Sequence, residues 1–184
     1  MPTTKTIPSC LAPLTEYLQG LTRRASVAEL RSTLNALNVT LDDLKQYAIY
    51  DDSTYRRNLI FECEFGEVLL ICWKSGQRSP VHNHAGSTCG VKVLKGLGYE
   101  TLFDMTPCGQ AVATKTTTMR AGDICASQDA DVHQISNLQP EGQGLVTLHI
   151  YSPPLREMDM FSITGGPVER YRPTIFEFED GGGI

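Results

Sequence analysis

The sequence predicts a mainly β protein, a sandwich or closed barrel of short strands with a helical layer at its N-terminal end. Three observations predict it. Apolar residues recur at three- and four-residue spacing over roughly the first fifty residues and then switch to alternation. After Asp52, short apolar runs follow one another with Gly, Pro, Asn or Asp between them and no helical pattern intervening. A chain of 184 residues that is 41% hydrophobic fills one ordinary core and is too short for two large ones. The expected organisation is one domain over 1–184, with 1–50 as the helical layer and 55–178 as the β part.

Leu11, Leu14, Tyr17, Leu18 and Leu21 mark a first helix by their spacing. Val27, Leu30, Leu34 and Leu37 mark a second, with Ser26 as N-cap and Glu29 placed to complete a capping box. A short third segment, 40–48, opens on Thr40 with Asp42 and Asp43 in its first turn. Leu59, Phe61, Cys63 and Phe65 then alternate with Ile60, Glu62 and Glu64, Gly66 allows a turn, and Val68 to Trp73 is continuously apolar, which predicts a hairpin. Further strands are expected at Val91–Leu94, Tyr99–Phe103, Val112–Met119, Asp123–Ala126 and Leu145–Tyr151. The tail from Pro167, which ends in Gly181, Gly182 and Gly183, is expected to fray.

Composition excludes several classes. Sixteen Lys and Arg against 21 Asp and Glu leave a net charge of −5, and no basic stripe offers a nucleic-acid surface. No run approaches the ~20 apolar residues of a membrane span, and the opening MPTTKTIPSCLAPL lacks the apolar core of a signal peptide. A cytoplasmic location and reduced thiols are therefore expected for the six cysteines, none of which forms a CxxC pair. Cys63 and Cys72 are near enough along the hairpin to face each other, with nothing requiring a bond.

The four histidines all lie in the β half: His82, His84, His133 and His149. On a strand, two residues of spacing turn the His82 and His84 rings to one face, half of a metal site; on a loop they are simply exposed side chains. In the run Leu145–Tyr151, alternation puts Leu145, Thr147, His149 and Tyr151 on one face, so polar groups line what is otherwise an apolar strand. Read alone, His149 is a core histidine with a hydrogen-bond partner and Tyr151 a core or rim tyrosine.

The segment Gly76-x5-His82-x-His84, followed by Gly122-Asp123 and His133-x3-Asn137, resembles the two motifs of the cupin superfamily, small jelly-roll barrels with a metal inside. Cupins carry a Glu ligand shortly after the HxH; here Cys89 stands near that place, and no acid occurs between His84 and Glu100. The resemblance implies a facial set of His82, His84 and His133 without a carboxylate, neutral enough for an anionic substrate to bind directly. Tyr55-Arg56-Arg57-Asn58-Leu59, Cys72-Trp73, His82 to Cys89, Glu100-Thr101-Leu102-Phe103-Asp104 and Leu148 to Pro154 are, more narrowly, similar to cysteine dioxygenases, non-haem Fe(II) cupins. That likeness runs in register from about Tyr55 to Pro154.

The resemblance implies conversion of L-cysteine and O2 to cysteine sulfinic acid. It implies Fe(II) on His82, His84 and His133, with Arg57 holding the substrate carboxylate and Tyr55 beside it. It implies Tyr151 as the active-site tyrosine, His149 behind its hydroxyl, and Cys89 as the partner of a thioether to the Tyr151 ring. Thr147 replaces the usual serine of that relay, and Met158 stands where animal members carry a cysteine near the pocket mouth. Base rates alone place an arginine on the surface, and which of Arg56 and Arg57 points inward is a matter of strand parity. Partners are expected to be the small thiol and O2, with a monomer as the working state. Two other readings stay open: a dioxygenase of another small thiol such as 3-mercaptopropionate, against which Arg57 argues, and a non-catalytic cupin with zinc, for which Cys89 is a possible fourth ligand.

Overall fold

The structure is a computed structural model that describes residues 7–128 and 132–177. The closing glycines lie outside the described residues. Helix α1 (Ala12–Gln19) and helix α2 (Val27–Ala36) come first, then a 3₁₀ helix at Asp42–Tyr47 where a short third helical segment is expected. The α2 N-terminus closes as the sequence predicts: the Ser26 hydroxyl accepts from the Glu29 N–H, and the Glu29 carboxylate accepts from the Ser26 N–H.

Eleven strands follow among the described residues: β1 (Arg56–Cys63), β2 (Gly66–Trp73), β3 (Thr88–Lys95), β4 (Leu97–Met105), β5 (Ala111–Arg120), β6 (Ile124–Gln128), β7 (His133–Ser136), β8 (Leu145–Ser152), β9 (Met158–Met160), β10 (Glu169–Tyr171) and β11 (Phe176–Glu177). One sheet has the order β11-β1-β2-β8-β3-β6, a second β5-β4-β7, and β9 pairs with β10. His82 bridges His133 on one side and Met160 on the other, so the chain at the HxH stitches β7 to β9 and extends the second layer. The result is a two-layered jelly roll whose sheets are not joined into one hydrogen-bonded ring among the described residues.

The continuous apolar run of β2 now has a reason. Leu69, Ile71 and Trp73 face the core between the sheets, while Val68, Leu70 and Cys72 face the helices, so both sides are covered. In β8 the same parity sends Val146, Leu148 and Ile150 under the helices and Leu145 and Tyr151 between the sheets. Gly66 is required by packing and not by the turn, which is made by Glu64 and Phe65. A Cβ at Gly66 would sit 2.7 Å from Leu18 Cδ2 and 3.2 Å from Leu18 Cβ, so α1 reaches the hairpin only because the side chain is absent.

Three expectations need correction. The alternation read into 59–65 is broken by a bulge between Leu59 and Phe61, which lets Ile60 and Phe61 both enter the core under the helices. Cys63 and Cys72 do not face each other: Cys63 pairs with Gly66 and Cys72 with Arg56, and all six cysteines are free. The tail from Pro167 is docked as far as Glu177, with β10 on β9 and β11 parallel to β1. Short strands like these carry too few residues for alternation to show in the sequence.

Candidate metal centre and cavity

The HxH does not lie on a regular strand. His82 forms only isolated bridges and His84 sits in the irregular chain that follows, yet both rings turn toward His133 on β7. Long-range bridging, not strand parity, makes them converge. One ligand nitrogen from each of His82, His84 and His133 lies within 4.8 Å of the others, and all three rings are buried.

Hydrogen bonds behind the rings settle which nitrogens face the cluster. The His82 Nδ1–H donates to the Pro80 carbonyl at 2.9 Å, and the His133 Nδ1–H donates to Glu100 Oε1 at 2.9 Å. His84 Nδ1 lies 3.4 Å from the Ser127 hydroxyl. With the Nδ1 atoms engaged, the Nε2 lone pairs turn inward, and those of His84 and His133 stand 3.1 Å apart. Two nitrogens each about 2.1 Å from one cation at a right angle lie ~3.0 Å apart, so the spacing fits adjacent ligands of a divalent metal. Burial pushes the His82 imidazole down to about 3, aided by its proximity to His133, and takes His84 well below the ordinary histidine range. Both are neutral donors. Cys89 is not in the converging group, so a cation held there would have three protein donors, one fewer than a closed structural zinc site takes.

The cluster opens on a small cavity between the sheets, walled also by Tyr55, Arg57, Trp73, His149 and Tyr151. Arg57 is 3% exposed, and its Nε and Nη2 have no hydrogen-bond partner. Its nearest carboxylate, Glu67 Oε1, is 3.8 Å from Nη2, too far for a hydrogen bond, and accepts from the Leu155 N–H instead. The guanidinium stays protonated despite its burial. Strand parity resolves the pair: Arg56 bonds Asn58 and lies over the Phe176 ring, away from the cavity. Tyr55 stacks on Trp73 with ring centroids 4.4 Å apart.

Four side chains make a directed relay beside the cluster. The Trp73 indole can only donate, and it donates to Thr147 Oγ1 at 3.0 Å. The Thr147 proton has His149 Nε2 at 2.9 Å and the Ile71 carbonyl at 3.5 Å, and the shorter contact takes it. His149 is neutral, pushed well below its ordinary range by burial and the Arg57 charge, so its proton sits on Nδ1 and donates to the Tyr151 oxygen at 3.1 Å. Burial keeps Tyr151 protonated, with the Arg57 guanidinium and the Cys89 thiol beside its hydroxyl. Cys89 lies directly across the β3–β8 ladder from Tyr151, which puts both side chains on one face. Met158 is fully buried in the core between the sheets.

Sequence reasoning placed Thr147, His149 and Tyr151 together through parity but passed over Trp73 and Glu100 as parts of the site. Both stand in the segments that carry the resemblance; their roles come from hydrogen bonds between strands far apart in the chain.

Two facing sheets with three imidazoles between them define a cupin-type jelly roll with a metal-binding site. The profile of the family described as Cysteine dioxygenase type I matches residues 1–164. The chain belongs to the cysteine dioxygenase type I family of enzymes. It is 29% identical over 146 residues to cysteine dioxygenase type 1 of Danio rerio, covering 74% of this chain and 70% of that one. With the Rattus norvegicus cysteine dioxygenase type 1 the identity is 29% over 153 residues, 80% of this chain and 76% of the relative. A solved Klebsiella pneumoniae protein with a double-stranded β-helix domain shares the fold, at a TM-score of 0.51 and 18% identity over 65% of this chain and 94% of that one.

Proposed function

We propose that the protein oxidises L-cysteine with O2 to cysteine sulfinic acid, with Fe(II) held by His82, His84 and His133. The observation that carries the reading is Arg57: a buried guanidinium with unpaired N–H groups, in the wall of the same cavity as three convergent imidazoles. Unpaired buried donors are costly unless a ligand meets them, and the planar fork matches a carboxylate. Fe(II), when bound, supplies the centre at which a thiolate and O2 can be brought together. The remaining work belongs to the chain. Arg57 receives the substrate carboxylate, with Tyr55 packed beside it against Trp73. Tyr151 offers its hydroxyl proton to the oxygen-bearing product side of the cavity, while His149 and Thr147 hold its oxygen in place. Both oxygen atoms end on sulfur, and no external reductant is required. A single domain, the monomer and a cytoplasmic setting belong to the same proposal.

Oxygen uptake by iron-loaded protein with L-cysteine, cysteamine and 3-mercaptopropionate tests this. L-Cysteine is expected to be consumed one for one with O2 and to give sulfinic acid. Arg57→Ala should raise its KM roughly 10- to 100-fold, since a charged hydrogen bond contributes ~1.5–3 kcal/mol. Cysteamine, without a carboxylate, should be a poor substrate that the substitution scarcely alters. Equal losses for both thiols would make Arg57 structural, and no uptake with any thiol would remove the reaction.

A further inference from the structure

The three imidazoles are backed differently. Among the described residues, His82 rests on a backbone carbonyl and His84 on a hydroxyl at 3.4 Å, whereas His133 alone is backed by a carboxylate, Glu100. Glu100 and His133 are neighbours by construction: β4 pairs with β7 so that Glu100 opposes Ile135 and Leu102 opposes His133, and the Glu100 side chain crosses diagonally to Nδ1. In the sequence Glu100 is also the first acid after the HxH. The inner set consists of three imidazoles, and Glu100 brings a carboxylate up behind one of them.

We propose that Glu100 is a positioning residue of the metal centre. Its carboxylate holds the His133 proton on Nδ1, fixes the ring plane, and makes Nε2 the better donor, thereby raising the affinity of the three-histidine set for a divalent cation. A carboxylate backing a ligating imidazole typically accounts for ~10- to 100-fold in metal affinity. The inference rests on the reading of His82, His84 and His133 as a metal site, and the experiment separates the two.

The folded protein, stripped of metal, is titrated with Co(II) against a chromogenic chelator, and the visible ligand-field spectrum is recorded for wild type, Glu100→Gln, Glu100→Leu and His133→Ala. Wild type should bind tightly and His133→Ala should lose binding. Glu100→Leu should bind roughly 10- to 100-fold more weakly with a shifted spectrum, because the His133 ring is released. Glu100→Gln keeps an oxygen acceptor without the charge and should fall between, with the wild-type spectrum. Glu100→Leu and Glu100→Gln affinities equal to wild type, with His133→Ala weakened, would overturn the role of Glu100 alone. Failure of wild type to bind would overturn the metal site itself. Should Glu100→Leu fail to fold by circular dichroism, the glutamine variant decides: an unchanged affinity refutes the proposal.

Discussion

At the scale of single residues, Cys89 and Tyr151 show how position and reactivity separate. Both are buried, and burial drives the Cys89 thiol and the Tyr151 phenol well above their ordinary ranges, so neither ionises readily. Their register as direct cross-strand partners nevertheless holds the sulfur and the ring together for the lifetime of the fold. A thioether between the sulfur and the ring carbon beside the hydroxyl removes one hydrogen from each, a two-electron oxidation for which O2 is the acceptor. We predict that turnover with cysteine and O2 produces a species lighter by two hydrogens, seen by intact mass and by a joined peptide, and absent in Cys89→Ser and Tyr151→Phe. Only unlinked peptides after prolonged turnover would count against it. Because the relay already fixes the Tyr151 oxygen from behind, Cys89→Ser should lose only part of the activity.

At the scale of elements, α2 illustrates a local rule that survived folding intact. Ser26 and Glu29 were readable as a capping box because both partners lie within one turn, and the structure adds Arg23, whose guanidinium bonds the Glu29 carboxylate at 2.8 and 3.0 Å. The Arg23 hydrogen bond first, and the Ser26 N–H and hydroxyl next, hold Glu29 down at about 2, against an ordinary value of 4.5. A carboxylate depressed in the folded state stabilises above its unfolded value and loses that contribution as pH falls through its folded one. The cap should therefore be complete above pH 4.5 and dissolve as pH drops toward about 2. Carboxyl NMR of the folded protein should place the Glu29 midpoint near 2, and Glu29→Gln should flatten the acid limb of the stability profile between those values. A midpoint near 4.5 would contradict the geometry.

At the scale of the molecule, the three clustered histidines sit on parts that are held by short pairings. His133 sits on a four-residue strand, and His82 and His84 lie in chain secured by isolated bridges. A cation bound to the folded form alone stabilises by mass action, about 2.7 kcal/mol at a hundredfold excess over Kd. Chelator treatment should lower the midpoint of thermal unfolding, and re-addition of Fe(II) without oxygen should restore it. His149→Ala should retain that shift, since His149 is not among the converging donors, whereas His84→Ala should abolish it. An identical midpoint with and without metal would mean that the cluster holds none.

The amino-acid order by itself determined whatever depends on near neighbours: the two helices and their cap, the hairpin, the parity that aligns Thr147, His149 and Tyr151, and the motifs by which the family and the clustered histidines are legible. Tertiary structure decided what depends on chains meeting from afar. It turned His82 and His84 inward by bridging and not by a strand, and chose Arg57 over Arg56 for the cavity wall. It also docked a tail that looked loose, because three-residue strands gain their order from partners, not from pattern. The proton assignments belong there too. Neither Trp73 nor Glu100 reveals its role in a sequence, since a hydrogen bond between strands fixes a tautomer only once register has brought donor and acceptor within reach.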